Sequence, residues 1–290
     1  MPAPKGRRGG TVQYHKVVVL ASTVAQMANM PAKEDHPVTT LDTLAAFFDV
    51  AGRTGGQRLV IVGVVLFGLW LGLGRAGFAQ SERRRTWLLV AAPLGAWLAL
   101  AWALAPTGAF QVFPVLPLAI VLPVAVGLVL LMRSRRIAMM LDATPPSWLV
   151  GLQVYRVFGG AFLVQLALGN LSPTFALPAG TGGVLVGVLA LPVAFYLSRY
   201  VGSGRAVAVG WNLLGILDLV VAITLGFLAS TGRIGSAPRP LVYPLVMVPA
   251  FGVPLSLILH GLSLWQLRRR AGRSTVEPDI GLPATVGRPA

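Results

Sequence analysis

Cysteine is absent from the 290 residues. That removes disulfides, thiolate metal sites, iron–sulfur clusters, cysteine nucleophiles and the c-type haem attachment motif together. Lysine is nearly absent: Lys5, Lys16 and Lys33 are the only three, and all precede the first long apolar run. No apolar run therefore offers the lysine that a retinal Schiff base requires. Histidine is as scarce. His15 and His36 lie near the N-terminus and only His260 falls in an apolar run. A b-type haem thus lacks its second axial ligand unless a partner supplies one, and a metal site lacks donors. No cofactor is expected. Charge is also thin, at 11% of residues, where soluble domains carry about a quarter.

What is present is hydrocarbon and arginine. Hydrophobic residues make up 55% of the chain, and the mean hydropathy is +0.74. Pro 22 and Gly 34 would harm soluble helices, whereas membrane helices tolerate both. The formal net charge of +15 suggests nucleic acid at first sight. Most of it, however, sits in arginine clusters beside apolar runs, where orientation in a bilayer accounts for it better. Nucleic acid is accordingly not expected as a partner; the lipid bilayer is.

A span needs about 20 apolar residues. Seven stretches qualify: 59–78, 86–105, 111–132, 147–168, 180–198, 206–229 and 241–267. The fold predicted is an all-α, polytopic integral membrane protein, a bundle of seven transmembrane helices over 59–267. Arg83, Arg84 and Arg85 follow span one, Arg133, Arg135 and Arg136 follow span three, Arg199 and Arg205 flank the turn after span five, and Arg268, Arg269, Arg270 and Arg273 follow span seven. The alternate loops 105–110 and 169–179 carry no charge. By the positive-inside rule the C-terminus is cytoplasmic and the N-terminus outside. Arg233, Arg239 and the seven basic residues of the first 58 point the other way, but the inside clusters are denser and closer to the spans. Arginine-rich, lysine-poor composition suits a bacterial inner-membrane protein.

The head, 1–58, differs in kind. Residues 1–16 are basic and glycine-rich, and Val17–Met30 is a short apolar run without a good cleavage site. Leu41, Leu44, Ala45 and Phe48 recur at helical spacing, which predicts a short amphipathic helix near 41–50 on the membrane surface. Disorder of the head, or a true start at Met27 or Met30, remains the alternative. The tail, 268–290, is basic and then rich in Pro and Gly, and from Glu277 onward it is expected to be disordered.

Spans three and seven share a pattern. Phe113-Pro114, Pro117, Pro123 and an arginine cluster in one answer to Tyr243-Pro244, Pro249, Pro254 and an arginine cluster in the other. This is compatible with a parallel arrangement of three, one and three spans, the topology of SWEET-type sugar carriers, whose Pro-Gln signature is missing here. Prolines that merely kink unrelated helices explain the same pattern.

Away from the span ends only Arg156 and Asp218 carry formal charge. Each costs about 2.5–3.5 kcal/mol at a helix centre, so neither should face lipid. Counted from the cytoplasmic ends, Gln153 and Arg156 in span four, Asn212 and Asp218 in span six, and Ser256 and His260 in span seven lie in one slab about 9–18 Å deep. Gln153, Arg156 and Gly160 follow i, i+3, i+7, with Gly159 adjoining. Trp211, Gly215, Asp218 and Ala222 share a second face, from which Asn212 diverges by about 120°. Gly252, Ser256 and His260 form a third, with Ser263 beyond. Pro254 frees the carbonyl of Ala250 and, with Pro249, offers a hinge.

Enzymatic readings do not rise above chance. Ser256, His260 and Asp218 are the residue types of a hydrolase triad, but no nucleophile elbow surrounds Ser256. Gly72-x-Gly74-x-x-Gly77 matches a dinucleotide motif without a preceding strand, and Gly68-x-x-x-Gly72 reads better as a helix-packing surface. The protein is expected not to be an enzyme. Two functions remain. One is a carrier-like protein for a small polar or anionic solute, in which the solute competes with Asp218 for Arg156 while His260 adjusts the local charge. The other is a non-catalytic structural or assembly subunit of a membrane complex, in which the same cluster only fixes helix packing.

Overall fold

The computed structural model describes residues 39–233 and 242–274. The chain divides into two compact units, Met1–Thr43 and Leu44–Ala290. Expectations for residues 1–38 and for the tail beyond Ser274 lie outside the described residues. Every element among the described residues is helical, and no strand occurs.

Helix α1, Thr40–Thr54, covers the stretch 41–50. Its start is a capping box: the Asp42 amide donates to Thr39 Oγ1 at 3.2 Å and the Thr39 amide to Asp42 Oδ2 at 3.0 Å. The side-chain bond from Thr39 holds the Asp42 carboxyl below the usual carboxylate range. Phe48 is half-buried while Leu44 and Phe47 are exposed, so the outer face of this helix is partly apolar.

The helices that follow are α2 (Gly56–Arg75), α3 (Gln80–Leu104), α4 (Val115–Arg133), α5 (Arg135–Ala143), α6 (Ser147–Gly151), α7 (Gly160–Ala167), α8 (Pro173–Arg199), α9 (Val201–Ser230) and α10 (Val253–Ser274). A 3₁₀ stretch, Leu152–Gly159, joins α6 to α7, and a π-helical turn, Val248–Gly252, leads into α10. Among the described residues seven helices are long and apolar enough to cross a membrane: Gly56–Arg75, Gln80–Thr107, Val115–Arg133, Ser147–Ala167, Pro173–Arg199, Gly202–Ala229 and Val248–Gly272. These are the seven expected stretches, with ends shifted by several residues. Glycine sets three of the ends. Gly77, Gly169 and Gly232 take positive φ just past α2, α7 and α9, and the next amide reaches back five residues in each case, as from Phe78 to Leu73.

The connection between spans three and four is structured. Ser134 caps α5, its Oγ accepting from the Ile137 amide at 3.4 Å. At its other end α5 is closed by α10: Gln266 Nε2 donates to the carbonyls of Leu141 (2.5 Å) and Thr144 (2.9 Å), and Arg269 pairs with Asp142 at 2.7 Å. The turn from α2 to α3 is locked as well. The Arg83 guanidinium lies 3.8 Å over the Trp70 ring and donates to the Trp70 carbonyl, and Trp87 donates to the Leu66 carbonyl.

Helix α10 and its π turn form the axis of the bundle. Of its most apolar window 56% is buried, against 6% for α4. Val246, Met247, Ala250, Phe251, Leu255 and Leu259 meet Val62 of α2 and Leu98 and Ala101 of α3 in one core cluster. Helix α4 packs mainly on α10, so span three is grouped with span seven more than with spans one and two. Both Phe113–Pro114 and Tyr243–Pro244 are cis. Helix α8 presents a face of small residues, Ala176, Ala179, Gly180, Gly183, Gly187 and Ala190, all buried. The 3₁₀ stretch packs directly on it: a Cβ at Gly187 would lie 2.5 Å from the Val157 backbone nitrogen. Small residues allow this backbone-to-backbone approach. Of the expected Gly68–Gly72 packing pair, only Gly72 is used, against Met140 and Thr144; nothing approaches Gly68. Outward, the long helices expose Val64, Phe67, Leu89, Leu100, Val121, Leu130, Leu191, Phe195 and Leu217, an apolar exterior with no protein cover.

Candidate functional site

The polar residues of spans four, six and seven converge. Span four, expected as a continuous α-helix, is wound as 3₁₀ helix through the site. Three residues per turn set Gln153, Arg156 and Gly159 in line, a tighter row than the α-helical spacing of Gln153, Arg156 and Gly160. Gln153 is fully buried and its Nε2 donates to the Ser256 carbonyl at 3.0 Å. Gly159 lies against the backbone of Gly183. Arg156 reaches across to α9, with its side chain 5% exposed.

Arg156 is the hub. Its Nη1 donates to the Gly215 carbonyl at 3.1 Å and meets His260 Nε2 at 3.3 Å. Its Nη2 donates to Asp218 Oδ2 in a short ion pair. Behind the pair the network continues. His260 Nδ1 lies 2.9 Å from Asn212 Oδ1, and Asn212 Nδ2 donates to the Ala208 carbonyl (2.7 Å) and to Ser263 Oγ (3.1 Å). The divergent face on which Asn212 sits thus turns toward α10, and His260 closes the gap to Arg156. Trp211, packed on the His260 ring at 5.2 Å, donates its indole N–H to the Val186 carbonyl.

The hydrogen bonds fix the state of His260. Both amide hydrogens of Asn212 are taken by Ala208 and Ser263, so its Oδ1 must accept from His260 Nδ1. Arg156 can only donate, so Nε2 must accept. His260 is therefore the Nδ1–H tautomer, neutral, with its lone pair toward the guanidinium. That geometry gives it the work of an acceptor that orients Arg156, in place of the charge adjustment expected from its residue type.

Two glycines make the arrangement sterically possible. A Cβ at Gly215 would lie 2.5 Å from His260 Cε1 and Nε2, and one at Gly182 would overlap the Asp218 carboxylate. Tyr155 is the other residue that spacing did not single out. Its hydroxyl is 2.6 Å from Ser256 Oγ, and a tyrosine inside an apolar run needs such a partner. The signal was therefore present in its residue type.

A cavity of about 990 Å³ reaches this cluster. Arg156, Asp218, Tyr155 and Ser256 lie along it together with Gly159, Gly183, Ala222 and Gly252. Most of the remaining wall is apolar, including Ile61, Leu116, Ile120, Phe162, Phe175 and Ile223. It extends past Gln57, Phe110 and Phe227, toward the end of the bundle opposite Arg83–Arg85 and Arg268–Arg270. Pro249 and the π turn line it, and Pro254 follows just beneath. Proline at 254 cannot donate to the Ala250 carbonyl, and the wider π turn accommodates that lost bond. Of the expected residues, Arg156, Asp218, Ser256 and Pro249 face the cavity, while Gln153, Asn212 and His260 stand behind it. Among the described residues no group of three acidic, histidine or cysteine side chains is placed to hold a metal ion.

Residues 113–268 match the model of a family described as a domain of unknown function (DUF8737), more than half of the chain, and the chain belongs to that family. The matched segment holds the whole Arg156 network, and spans one and two precede it. No curated protein and no solved structure matches the chain.

Proposed function

We propose that this DUF8737 protein is a multi-pass protein of a bacterial inner membrane, its C-terminus in the cytoplasm, that holds a small polar or anionic solute in the manner of a carrier. The apolar exterior and the alternation of arginine clusters support the membrane placement. The observation that carries the function is the exposure of the Arg156–Asp218 pair to a cavity of about 990 Å³. A pair that served packing alone would be enclosed on all sides, because burial without full satisfaction is costly. Ionisable groups at membrane depth, beside broken helices lining a cavity, are the arrangement in which transporters hold substrates. Here Arg156 sits on 3₁₀ helix, and the π turn that leads into α10 lines the same cavity. On the topology above, the cavity is reached from the outer half of the membrane.

The test is thermal unfolding of the purified protein in lipid nanodiscs against a panel of polar and anionic solutes. A solute that raises the melting temperature of the native protein and leaves Ala222→Phe unchanged supports the reading, because that ring would fill the cavity. The second reading, an assembly subunit, draws on the saturated side of the network, where Asn212, His260 and Gly215 leave no hydrogen bond to a solute. It requires reproducible co-purification with a membrane complex and a panel in which nothing stabilises the protein.

A further inference from the structure

We propose that the solute is an uncharged amphiphile, its hydroxyl-bearing head at Arg156 and Asp218 and its hydrocarbon body along the rest of the cavity. This rests on the reading of the cavity as a solute site and changes the class of solute, from small and polar or anionic to amphiphilic and uncharged.

The head follows from the hydrogen bonds that remain. A guanidinium has five N–H donors. Gly215, His260 and Asp218 take three of those on Arg156, which leaves two. Asp218 accepts through Oδ2, which leaves Oδ1 as an acceptor. Tyr155 and Ser256 share one hydroxyl hydrogen between them, so the pair has one more to donate. The floor of the cavity therefore offers donors and an acceptor side by side, and the opposite charges of Arg156 and Asp218 cancel there; the third charged residue along the cavity, Arg58, is buried in its wall and donates to the Pro244 carbonyl at 3.2 Å. An anion drawn to Arg156 would meet Asp218 Oδ1, and a cation drawn to Asp218 would meet Arg156. A hydroxyl satisfies both, its oxygen accepting from Arg156 and its hydrogen going to Asp218 Oδ1. A second hydroxyl, as in a glycerol head, can accept from the Tyr155–Ser256 pair. Bringing a neutral head into an apolar cavity also costs far less than bringing an ion.

The body follows from the walls. A volume of about 990 Å³ is at the upper end of what small-molecule sites enclose, roughly 300–1,000 Å³. It is too large and too apolar for the head alone. Phe162, Phe175, Ala179, Leu219, Ile223 and Val253 line it beyond the ion pair. Seven of its lining residues are also exposed: Val112 at 61%, Phe113 at 75%, Val121 at 63% and Phe227 at 45%, together with the polar Gln111, Thr224 and Thr231. A residue that both lines a cavity and stands exposed is at its mouth. Four of these are apolar and lie on the stretch leading into α4, on α4 and on α9, so the mouth opens in part on the same apolar exterior that faces lipid in the proposed placement. A chain of hydrocarbon matches the apolar part of that rim and the wall behind it.

The experiment measures saturable binding of tritiated monoolein to the purified full-length protein, with competition by unlabelled oleyl alcohol, methyl oleate, oleate, oleylamine and glycerol. Monoolein should bind saturably and oleyl alcohol should displace it. Methyl oleate, which cannot donate, and the charged oleate and oleylamine should compete at least about tenfold less well, the equivalent of one lost hydrogen bond to a charged group. Glycerol, which has no chain, should not compete. In Arg156→Met with Asp218→Leu, oleyl alcohol should lose its advantage over methyl oleate while the apolar wall still binds both. Should that variant fail to fold, the competition series on the native protein decides alone. Oleate or oleylamine competing as well as oleyl alcohol overturns the head-group assignment. Glycerol competing as well as monoolein, or small polar solutes stabilising a protein that binds no monoolein, overturns the amphiphile and leaves the solute site standing. Absence of saturable binding by chains and small solutes alike overturns both.

Discussion

Gly215 tests the geometry of the polar cluster more directly than any charged residue does. Helix propensity alone says that alanine in place of a mid-helix glycine stabilises by roughly 0.5–1 kcal/mol. The site says the reverse. The added Cβ would lie 2.5 Å from two atoms of the His260 ring, a ring held at both nitrogens, by Asn212 at 2.9 Å and Arg156 at 3.3 Å. The imidazole cannot yield without breaking one of those bonds, which would leave a buried polar group unsatisfied at about 1–3 kcal/mol. If it stays, overpacking strain costs about 1–3 kcal/mol. With the propensity gain deducted, Gly215→Ala should lose about 1 kcal/mol, roughly 2–4 °C in melting temperature for a chain of this size. Gly210, on the same helix with nothing within 4 Å of its Cβ position, supplies the control: Gly210→Ala should be neutral or slightly stabilising. The assay is unfolding of both variants side by side in one detergent. A double-mutant cycle localises the cause, since in a His260→Ala background Gly215→Ala should cost nothing. Equal stability of Gly215→Ala and Gly210→Ala would refute the placement of His260 against α9.

Three further outcomes follow from the same contacts. Asp218→Asn removes the counter-charge of a side chain only 5% exposed and should cost about 3–5 kcal/mol, whereas Arg156→Met with Asp218→Leu should recover most of that loss; thermal unfolding of the three proteins checks it. Gln266→Leu removes the closer of two side-chain donors to the buried Leu141 carbonyl, leaving Thr144 Oγ1 at 3.5 Å, and should cost about 0.5–1.5 kcal/mol, while Arg269→Gln, at a partly exposed pair, should cost less than that; denaturant titration ranks them. A reporter fused after Arg273 should be active when it requires the cytoplasm and silent when it requires export, and the opposite pattern would reverse the orientation.

Much of the architecture was legible because it is written in runs. Seven stretches of apolar residues became seven long helices, since hydrophobic length is a property of the segment alone. That the polar residues of three spans share one level was legible for the same reason, since a rise of about 1.5 Å per residue converts sequence distance from an arginine cluster into height, and their side chains do meet. Direction around the helix was harder. The helical wheel separates Tyr155 from Gln153 and Arg156, and all three still find partners on α9 or α10; the 3₁₀ winding of this turn lines up only Gln153, Arg156 and Gly159. Its winding depends on how closely it can approach Gly183 and Gly187, a property of two helices together. Likewise Gly180, Gly182 and Gly183 look equivalent in sequence, and only the crossing of α8 and α9 decides that Gly182 is the one beneath Asp218. Helix α5 was missed because nine residues that begin on Arg135 and Arg136 are too short for a clear period, and its end depends on Gln266 and Arg269, far along the chain.

The cluster also shows why packing and binding are not rival roles for Arg156. On one side its Nη1 is held by Gly215 and His260, and His260 by Asn212; that side fixes where the guanidinium sits, as a buried polar network does when every member is satisfied. On the other side Asp218 uses one oxygen, and the cavity begins. A guanidinium free to swing would follow a solute and discriminate poorly. One pinned from behind presents its remaining donors in a fixed plane, so a solute must bring its acceptor to them. Loss of His260 should therefore harm the selectivity of the site more than its affinity. In His260→Ala, oleate and oleyl alcohol should compete for monoolein more nearly equally than in the native protein. A His260→Ala protein that keeps the full native preference would show that the network behind Arg156 does nothing for the face in front of it.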